Sequence, residues 1–281
     1  MPLDQNQRAA AAESLWAADR DRAPIEPLTQ EFPGIDVVDA YEIQLINIRR
    51  RLAGGARVRG HKVGLSSPVM QQMMGVNEPD YGHLLDTMTL SPDEPIPASR
   101  YCYPRIEVEI GYILGASLPG EGCTEADVLA ATEYVVPSLE LIDSRIRDWR
   151  IRLADTIADN ASSAGVIVGE ARRSPAELAA AGIDLANIEA VLYSTTAGPA
   201  VNSTGQAVPW AEAARGNTSA VLGNPTTAVA WLARKVASFG VKLEAGHVIL
   251  PGSCTRAIDA RPGDTFRAEF AGLGTVTASF A

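Results

Sequence analysis

The sequence predicts an α+β chain, with a helical N-terminal portion ahead of a larger, mainly β core. Apolar residues recur at helical spacing up to about residue 52, whereas short strand-like runs bounded by Gly, Pro and Asp dominate from Ile96 onward. The boundary is placed at residue 65, giving a mainly helical portion over 1–65 and a β-rich core over 66–281. No internal repeat, low-complexity tract or long linker interrupts this order, and 281 residues suffice for one large domain with a sizeable core.

The elements follow in order. Residues 7–20 read as an Ala-rich helix, and a connection containing Pro24, Pro27 and Pro33 follows. Asp36 is placed to cap a helix running to about Leu52. Val38, Tyr41, Leu45, Ile48 and Leu52 alternate spacings of three and four, which marks them as its buried face. Gly54-Gly55 ends it, and the Arg49-Arg50-Arg51 run complements the helix dipole. Val58–Leu65 is a short strand or turn carrying Lys62. Ser67-Pro68 opens a short helix that Gly75 closes, with Met70, Met73 and Met74 as core filling. Helices are expected at Glu125–Tyr134, capped by Thr124, and at Pro225–Phe239, capped by Asn224 and stopped by Gly240. Strands are expected at 106–114, 135–142, 165–169, 188–194, 247–250, 265–270 and 275–280.

Composition narrows the function. A hydrophobic fraction of 46% with 21% charged residues is that of an ordinary soluble globular protein. A net charge of −10 argues against nucleic acid as a main partner, because phosphate binding needs basic surface. No apolar run approaches bilayer length, and the N-terminus lacks the pattern of a secretory signal. Cys102, Cys123 and Cys254 fit neither a disulfide framework nor a zinc spacing, so a cytoplasmic, reducing home is expected. His61, His83 and His247 are scattered, which speaks against a His-rich metal site.

The chemistry centres on Glu107-Val108-Glu109. In a strand over 106–114, Ile106, Val108, Ile110, Tyr112 and Leu114 share an apolar face. Glu107 and Glu109 share the other, about 6.5–7 Å apart along the strand. Two like charges on one face call for a cation between them. Glu140 sits in a similar apolar run and adds a third carboxylate. Three hard oxygen donors favour Mg²⁺ or Mn²⁺. The alternative is that Arg105 and Arg145 neutralise them. Lys62 is one of only three lysines in a chain that otherwise uses arginine, which suits proton transfer at a tuned pKa. Arg59 and His61 would lower that pKa if they were close in space. Ser162 is a candidate donor to a substrate carboxylate, with capping as the bland alternative. For Asp80 the bland alternative is turn stabilisation.

Five ordered segments carry a resemblance: Gly60–Ser67 (GHKVGLSS), Glu78–Leu84 (EPDYGHL), Pro104–Glu109 (PRIEVE), Glu140–Arg145 (ELIDSR) and Asp155–Ser163 (DTIADNASS). Leu222–Pro225 and Leu250–Ser253 extend it over nearly the whole chain. Together they resemble the 2-keto-4-pentenoate (2-hydroxypentadienoate, vinylpyruvate) hydratases of the fumarylacetoacetate hydrolase superfamily, most closely the actinobacterial members that serve aromatic and steroid ring breakdown. The resemblance implies a mixed β-sandwich roll with a helical N-terminal portion. It also implies Mg²⁺ or Mn²⁺ held by Glu107, Glu109 and Glu140, and proton transfer and water activation by Lys62 and Asp80. Ser162 and Ser253 would bind the substrate carboxylate. A homo-oligomer, with a pathway aldolase or decarboxylase as possible partner, is implied as well. His83 stands where many relatives carry an aromatic or other residue.

The nearest competing activity is 2-oxo-3-hexenedioate (4-oxalocrotonate) decarboxylase, which needs a further cation for a second carboxylate, from Arg145 or Arg105. Asp148-Trp149-Arg150 and Val229-Ala230-Trp231-Leu232 are nearer the hydratases. A C–C hydrolase of the superfamily would use an Asp ligand and a His–Glu pair, neither of which is matched. A 2-keto-acid binding protein and a salt-bridged structural domain are the non-enzymatic alternatives.

Overall fold

A computed structural model describes residues 2–68, 71–72, 75–195 and 209–281. The Met70, Met73 and Met74 side chains lie outside the described residues.

Helix α1 (Gln5–Asp21) starts at a capping box between Asp4 and Gln7, and buries Ala11, Ala12, Leu15 and Ala18. A single turn, α2 (Leu28–Glu31), leads to α3 (Val37–Ala53), which Asp36 caps as expected. The buried face of α3 differs from the expected stripe. Tyr41 and Ile48 are buried, but Val38 is 58% exposed and Leu52 37% exposed. The helix instead buries Asp39, Ala40, Ile43 and Gln44. Asp39 earns this position through its partners, accepting from Leu3 N at 3.0 Å and pairing with Arg8. Gln44 Nε2 donates to the carbonyls of Tyr81 and Ile157. A purely apolar reading rotates the helix because these polar side chains are buried with satisfied bonds.

Among the described residues the larger sheet has seven strands. Its main path runs β2 (Asp80–Leu85), β1 (Val58–Gly64), β8 (Val248–Leu250), β3 (Arg105–Leu114), β4 (Thr132–Ile142) and β5 (Ser163–Val168), with β9 (Ile258–Asp259) on β3. The β1–β8 pair is parallel and the others are antiparallel. A four-stranded antiparallel sheet follows the order β11 (Gly274–Ser279), β10 (Thr265–Phe270), β6 (Glu189–Thr195) and β7 (Ala211–Asn217). It packs on the larger sheet where β10 and β11 meet β4. The architecture is α+β, as the sequence predicts. The helical portion ends at Ala53, however, and β1 lies inside the main sheet between β2 and β8.

Helix α4 (Glu125–Ala131) has the expected Thr124 cap but stops before Tyr134, because the β-branched Thr132, Val135 and Val136 continue as β4. A short α5 (Leu153–Ala158) lies under α3, and α6 (Pro175–Ala180) starts at a Ser174–Glu177 capping box that the sequence reading passed over. Helix α7 (Pro225–Ala237) has Asn224 as cap and Pro225 in its first turn. Tyr41 of α3 stacks on Tyr81 of β2, with centroids 4.6 Å apart and an interplanar angle of 20°. Such a pair adds about 0.5–1.5 kcal/mol beyond its burial. It fixes the helical layer against the strand that carries Asp80.

Candidate metal centre and active site

The β3–β4 register builds the centre. Ile106, Val108, Ile110, Tyr112 and Leu114 are all fully buried on one face of β3, as alternation requires. On the other face Glu107 lies directly opposite Glu140, and Glu109 opposite Ser138. Ligand oxygens of Glu107, Glu109 and Glu140 come within 4.8 Å of one another. Among the described residues no other trio of His, Cys, Asp or Glu converges in this way.

The arginine alternative is not met. Arg105 pairs with Asp259 at 2.8 Å and lies over Trp149 at 4.5 Å. Arg145 is held by Asp159 at 2.6 Å, with Asp143 at 3.9 Å. The cation that does reach the trio is Lys62, with Nζ 3.5 Å from Glu140 Oε1. Glu109 Oε2 accepts from Gly252 N at 2.8 Å. Glu109 Oε1 and both Glu140 oxygens are buried with no hydrogen-bond partner. Burial, reinforced by Glu140 and Glu107, raises Glu109 well above the usual carboxylate range. Burial, opposed by Lys62 and reinforced by Glu107, pushes Glu140 up to about 7. Three crowded carboxylates with unpartnered buried oxygens fit a divalent cation with hard oxygen ligands.

Lys62 projects from β1 toward the trio and donates to Ala161 O at 2.9 Å. Burial acts to lower its pKa, but Glu140, Glu107, Asp80 and Glu109 outweigh burial and hold the ammonium above its ordinary value. The expected lowering by Arg59 and His61 does not occur. Arg59 is exposed, and His61 alternates to the opposite face of β1.

Asp80 is not a turn residue. It begins β2, is 1% exposed and pairs in register with Gly64. Burial raises its carboxyl against the pull of Lys62 and a smaller one from Thr156. A Cβ at Gly64 would lie 2.1 Å from Asp80 Oδ1 and 3.5 Å from Lys62 Nζ, so glycine there makes room for both groups.

The facing wall is an unusual turn. Asn160, Ala161 and Ser162 adopt φ values of 55°, 50° and 58° in succession. Asn160 clamps β2, its Nδ2 donating to His83 O and its Oδ1 accepting from His83 N. This shape turns Ala161 O onto Lys62. Ser162 Oγ lies 3.4 Å from Thr156 Oγ1. Ser253 Oγ accepts from Val108 N, between the two β3 glutamates, at 3.2 Å. The structure therefore brings Lys62, Asp80 and Ser253 around the trio, with Ser162 in the turn that meets Lys62. It does not bring Arg145, which lines a cavity whose walls contain none of the glutamates.

Sequence reasoning missed the Gly252 N–H, the Ala161 carbonyl, Thr156 and Asn160. It also treated the histidines as separate, yet the His61 ring lies 4.8 Å from that of His83 and 6.0 Å from that of His247. The Gly252 contact had a usable signal in Pro251-Gly252-Ser253, because φ there is +124° and a Cβ would lie 1.9 Å from Ser66 Oγ.

The family model for the fumarylacetoacetate (FAA) hydrolase C-terminal region matches residues 70–281. The chain belongs to the fumarylacetoacetate hydrolase family. It is 42% identical to a 2-keto-4-pentenoate hydratase of Paraburkholderia xenovorans over 278 residues, covering 99% of this chain and 96% of that protein. It is 40% identical to the 2-oxo-hept-4-ene-1,7-dioate hydratase of Escherichia coli, covering 99% of each. Among solved structures, the 4-oxalocrotonate decarboxylase of Pseudomonas putida G7, complexed with magnesium and adipate, superposes with a TM-score of 0.87 at 34% identity over 99% of both chains. No helix among the described residues is long and apolar enough to cross a membrane.

Proposed function

We propose that this chain hydrates 2-hydroxypenta-2,4-dienoate, or a close alkyl homologue, to the 4-hydroxy-2-oxo acid. The observation that carries the reading is Lys62 and Asp80 gathered over Gly64 beside the three glutamates, in a chain whose full-length relatives are named as hydratases. Glu107, Glu109 and Glu140 hold Mg²⁺ or Mn²⁺, which when bound would supply Lewis-acid stabilisation of negative charge at the substrate's 2-oxo and carboxylate end.

The chain's own groups manage the protons. Lys62 is held as an ammonium and delivers a proton to C5 while the 2-hydroxyl proton is lost, giving the α,β-unsaturated 2-oxo acid. Asp80 accepts a proton from the water whose oxygen joins C4, and C3 gains one in exchange. Ser162 and Ser253 bind the substrate carboxylate. In this reading the enzyme is a cytoplasmic homo-oligomer of aromatic or steroid ring breakdown, next to an aldolase or decarboxylase of the same pathway.

Decarboxylation of 2-oxo-3-hexenedioate is the second reading, favoured by the likeness to the Pseudomonas decarboxylase. Against it, Arg145 is committed to Asp159, and Arg105 to Asp259 and Trp149, so neither guanidinium stands free for a second carboxylate. The test supplies purified protein and Mn²⁺ with each substrate in turn. Loss of dienoate absorbance with formation of the 4-hydroxy-2-oxo acid is expected. Release of CO₂ from the diacid without hydration of the dienoate overturns the proposal.

A further inference from the structure

The outer face of α3 carries an apolar stripe that the fold leaves uncovered. Val38, Leu45 and Leu52 follow one another at intervals of seven, so they run along the helix with a drift of about 20° per step. Val38 is 58% exposed and Leu52 37% exposed. Leu45 is half-buried, yet it packs against no buried apolar cluster among the described residues. Only three large apolar side chains among the described residues are exposed, and two of them lie on this stripe. Glu42 and the exposed Arg49 flank it on one side, about 60° and 40° round the helix from Leu45. Neither side chain has an ion pair or hydrogen bond among the described residues. Seven residues apart, they cannot reach each other, and the positions three and four away from each hold no opposite charge.

We infer that α3 forms a two-fold contact between two copies of this chain, with the two helices antiparallel about Leu45. A two-fold axis there sets Leu45 on Leu45 of the second copy and Val38 on its Leu52, and it brings Glu42 beside its Arg49. Symmetry repeats the last two pairings, so the stripe is covered and both free charges are answered. Parallel helices would turn Glu42 and Arg49 toward the opposite flank instead. There Gln44 is buried and Arg51 is already paired with Asp19 at 2.8 Å. The partner is a second copy because the stripe and its charges complement themselves. The contact also accounts for the alternating spacings of three and four along α3: Tyr41 and Ile48 serve the fold, whereas Val38, Leu45 and Leu52 serve the contact. A helix of 17 residues is about 25 Å long, so the contact is small and association through it alone depends on concentration. It gives a surface to the homo-oligomer of the proposed function, and it does not depend on the reaction assigned there.

The test is sedimentation equilibrium of the full chain across a wide range of concentration. The wild type should associate. Leu45→Arg should cut the mass of the assembly by half or more, while far-UV circular dichroism stays that of the folded chain. Glu42→Arg alone should weaken association about tenfold. Glu42→Arg combined with Arg49→Glu should restore it, since the exchanged charges still meet across an antiparallel pair. A monomeric wild type overturns both this contact and the homo-oligomer. A wild-type oligomer that Leu45→Arg leaves intact overturns the contact alone. An assembly that Leu45→Arg breaks, but that the double exchange restores no better than Glu42→Arg, overturns the antiparallel arrangement.

Discussion

Glu107 and Glu140 stand directly opposite one another on the β3–β4 ladder, a pairing of like charges in a buried register. Like charges directly opposite destabilise a sheet, so this pair persists against its own repulsion. A divalent cation held by Glu107, Glu109 and Glu140 would offset that repulsion. Adding Mg²⁺ or Mn²⁺ to chelator-treated protein should therefore raise its melting temperature. At a concentration a hundred times the dissociation constant, the gain is about 2.7 kcal/mol. In Glu140→Gln the gain should shrink sharply. A melting curve indifferent to either metal in the wild-type chain would remove the centre.

Lys62 touches both the trio and the Asn160–Ser162 turn, but it is not itself a ligand. Lys62→Ala should leave Mn²⁺ affinity intact while turnover falls on the order of 10²–10⁴-fold, the usual worth of a positioned acid or base. Paramagnetic titration reads the first quantity and dienoate absorbance the second. Unchanged turnover would exclude Lys62 from the proton transfers.

Gly64 offers a sharper test of geometry. Gly64→Ala places a methyl group 2.1 Å from where Asp80 Oδ1 now lies, so the carboxylate must move. Overpacking of this kind costs about 1–3 kcal/mol, which the fold should survive. Turnover should drop toward the level of Asp80→Asn, with metal affinity retained. If Gly64→Ala matches wild type in kcat while Asp80→Asn does not, the position of Asp80 matters less than its presence.

The parts of this site legible in the sequence were side chains whose type conflicted with their local pattern. Glu107, Glu109 and Glu140 are charges inside apolar strands, and strand alternation alone placed the first two on one face. The illegible parts are long-range or belong to the backbone. Gly252 N reaches Glu109 because β8 pairs with both β1 and β3; Pro251-Gly252 signals a special backbone there, but not which carboxylate it meets. Ala161 O reaches Lys62 through three left-handed residues, none of them glycine. The histidines looked scattered because His61 meets His83 through the β1–β2 register and His247 through the segment entering β8. The α3 face was misjudged where Asp39 and Gln44 are buried for their hydrogen bonds.

That histidine cluster yields the last prediction. His83 is 3% exposed, and its Nδ1 lies 3.0 Å from Gln44 Oε1. Burial, against a smaller opposing bond from Asn160, pushes its pKa down from 6.5 to about 4. The folded-state value lies below the unfolded one, so above pH 6.5 both states are neutral and stability is unaffected. As pH falls from 6.5 through about 4, the unfolded chain takes up a proton that the folded chain refuses, and stability is lost. The full loss is about 3 kcal/mol at 1.36 kcal/mol per unit. Asp159, raised by burial to about 6 against the pull of Arg145, titrates in the same window with the opposite sign. The wild-type curve alone therefore cannot isolate His83, but its difference from His83→Gln can, since glutamine keeps a donor for Gln44 without taking up a proton. Urea-unfolding free energies across pH 4.5–7.5 should show the two chains converging on the acid side, with the wild type losing more. Parallel curves would mean that His83 takes up its proton equally in the folded and unfolded chains.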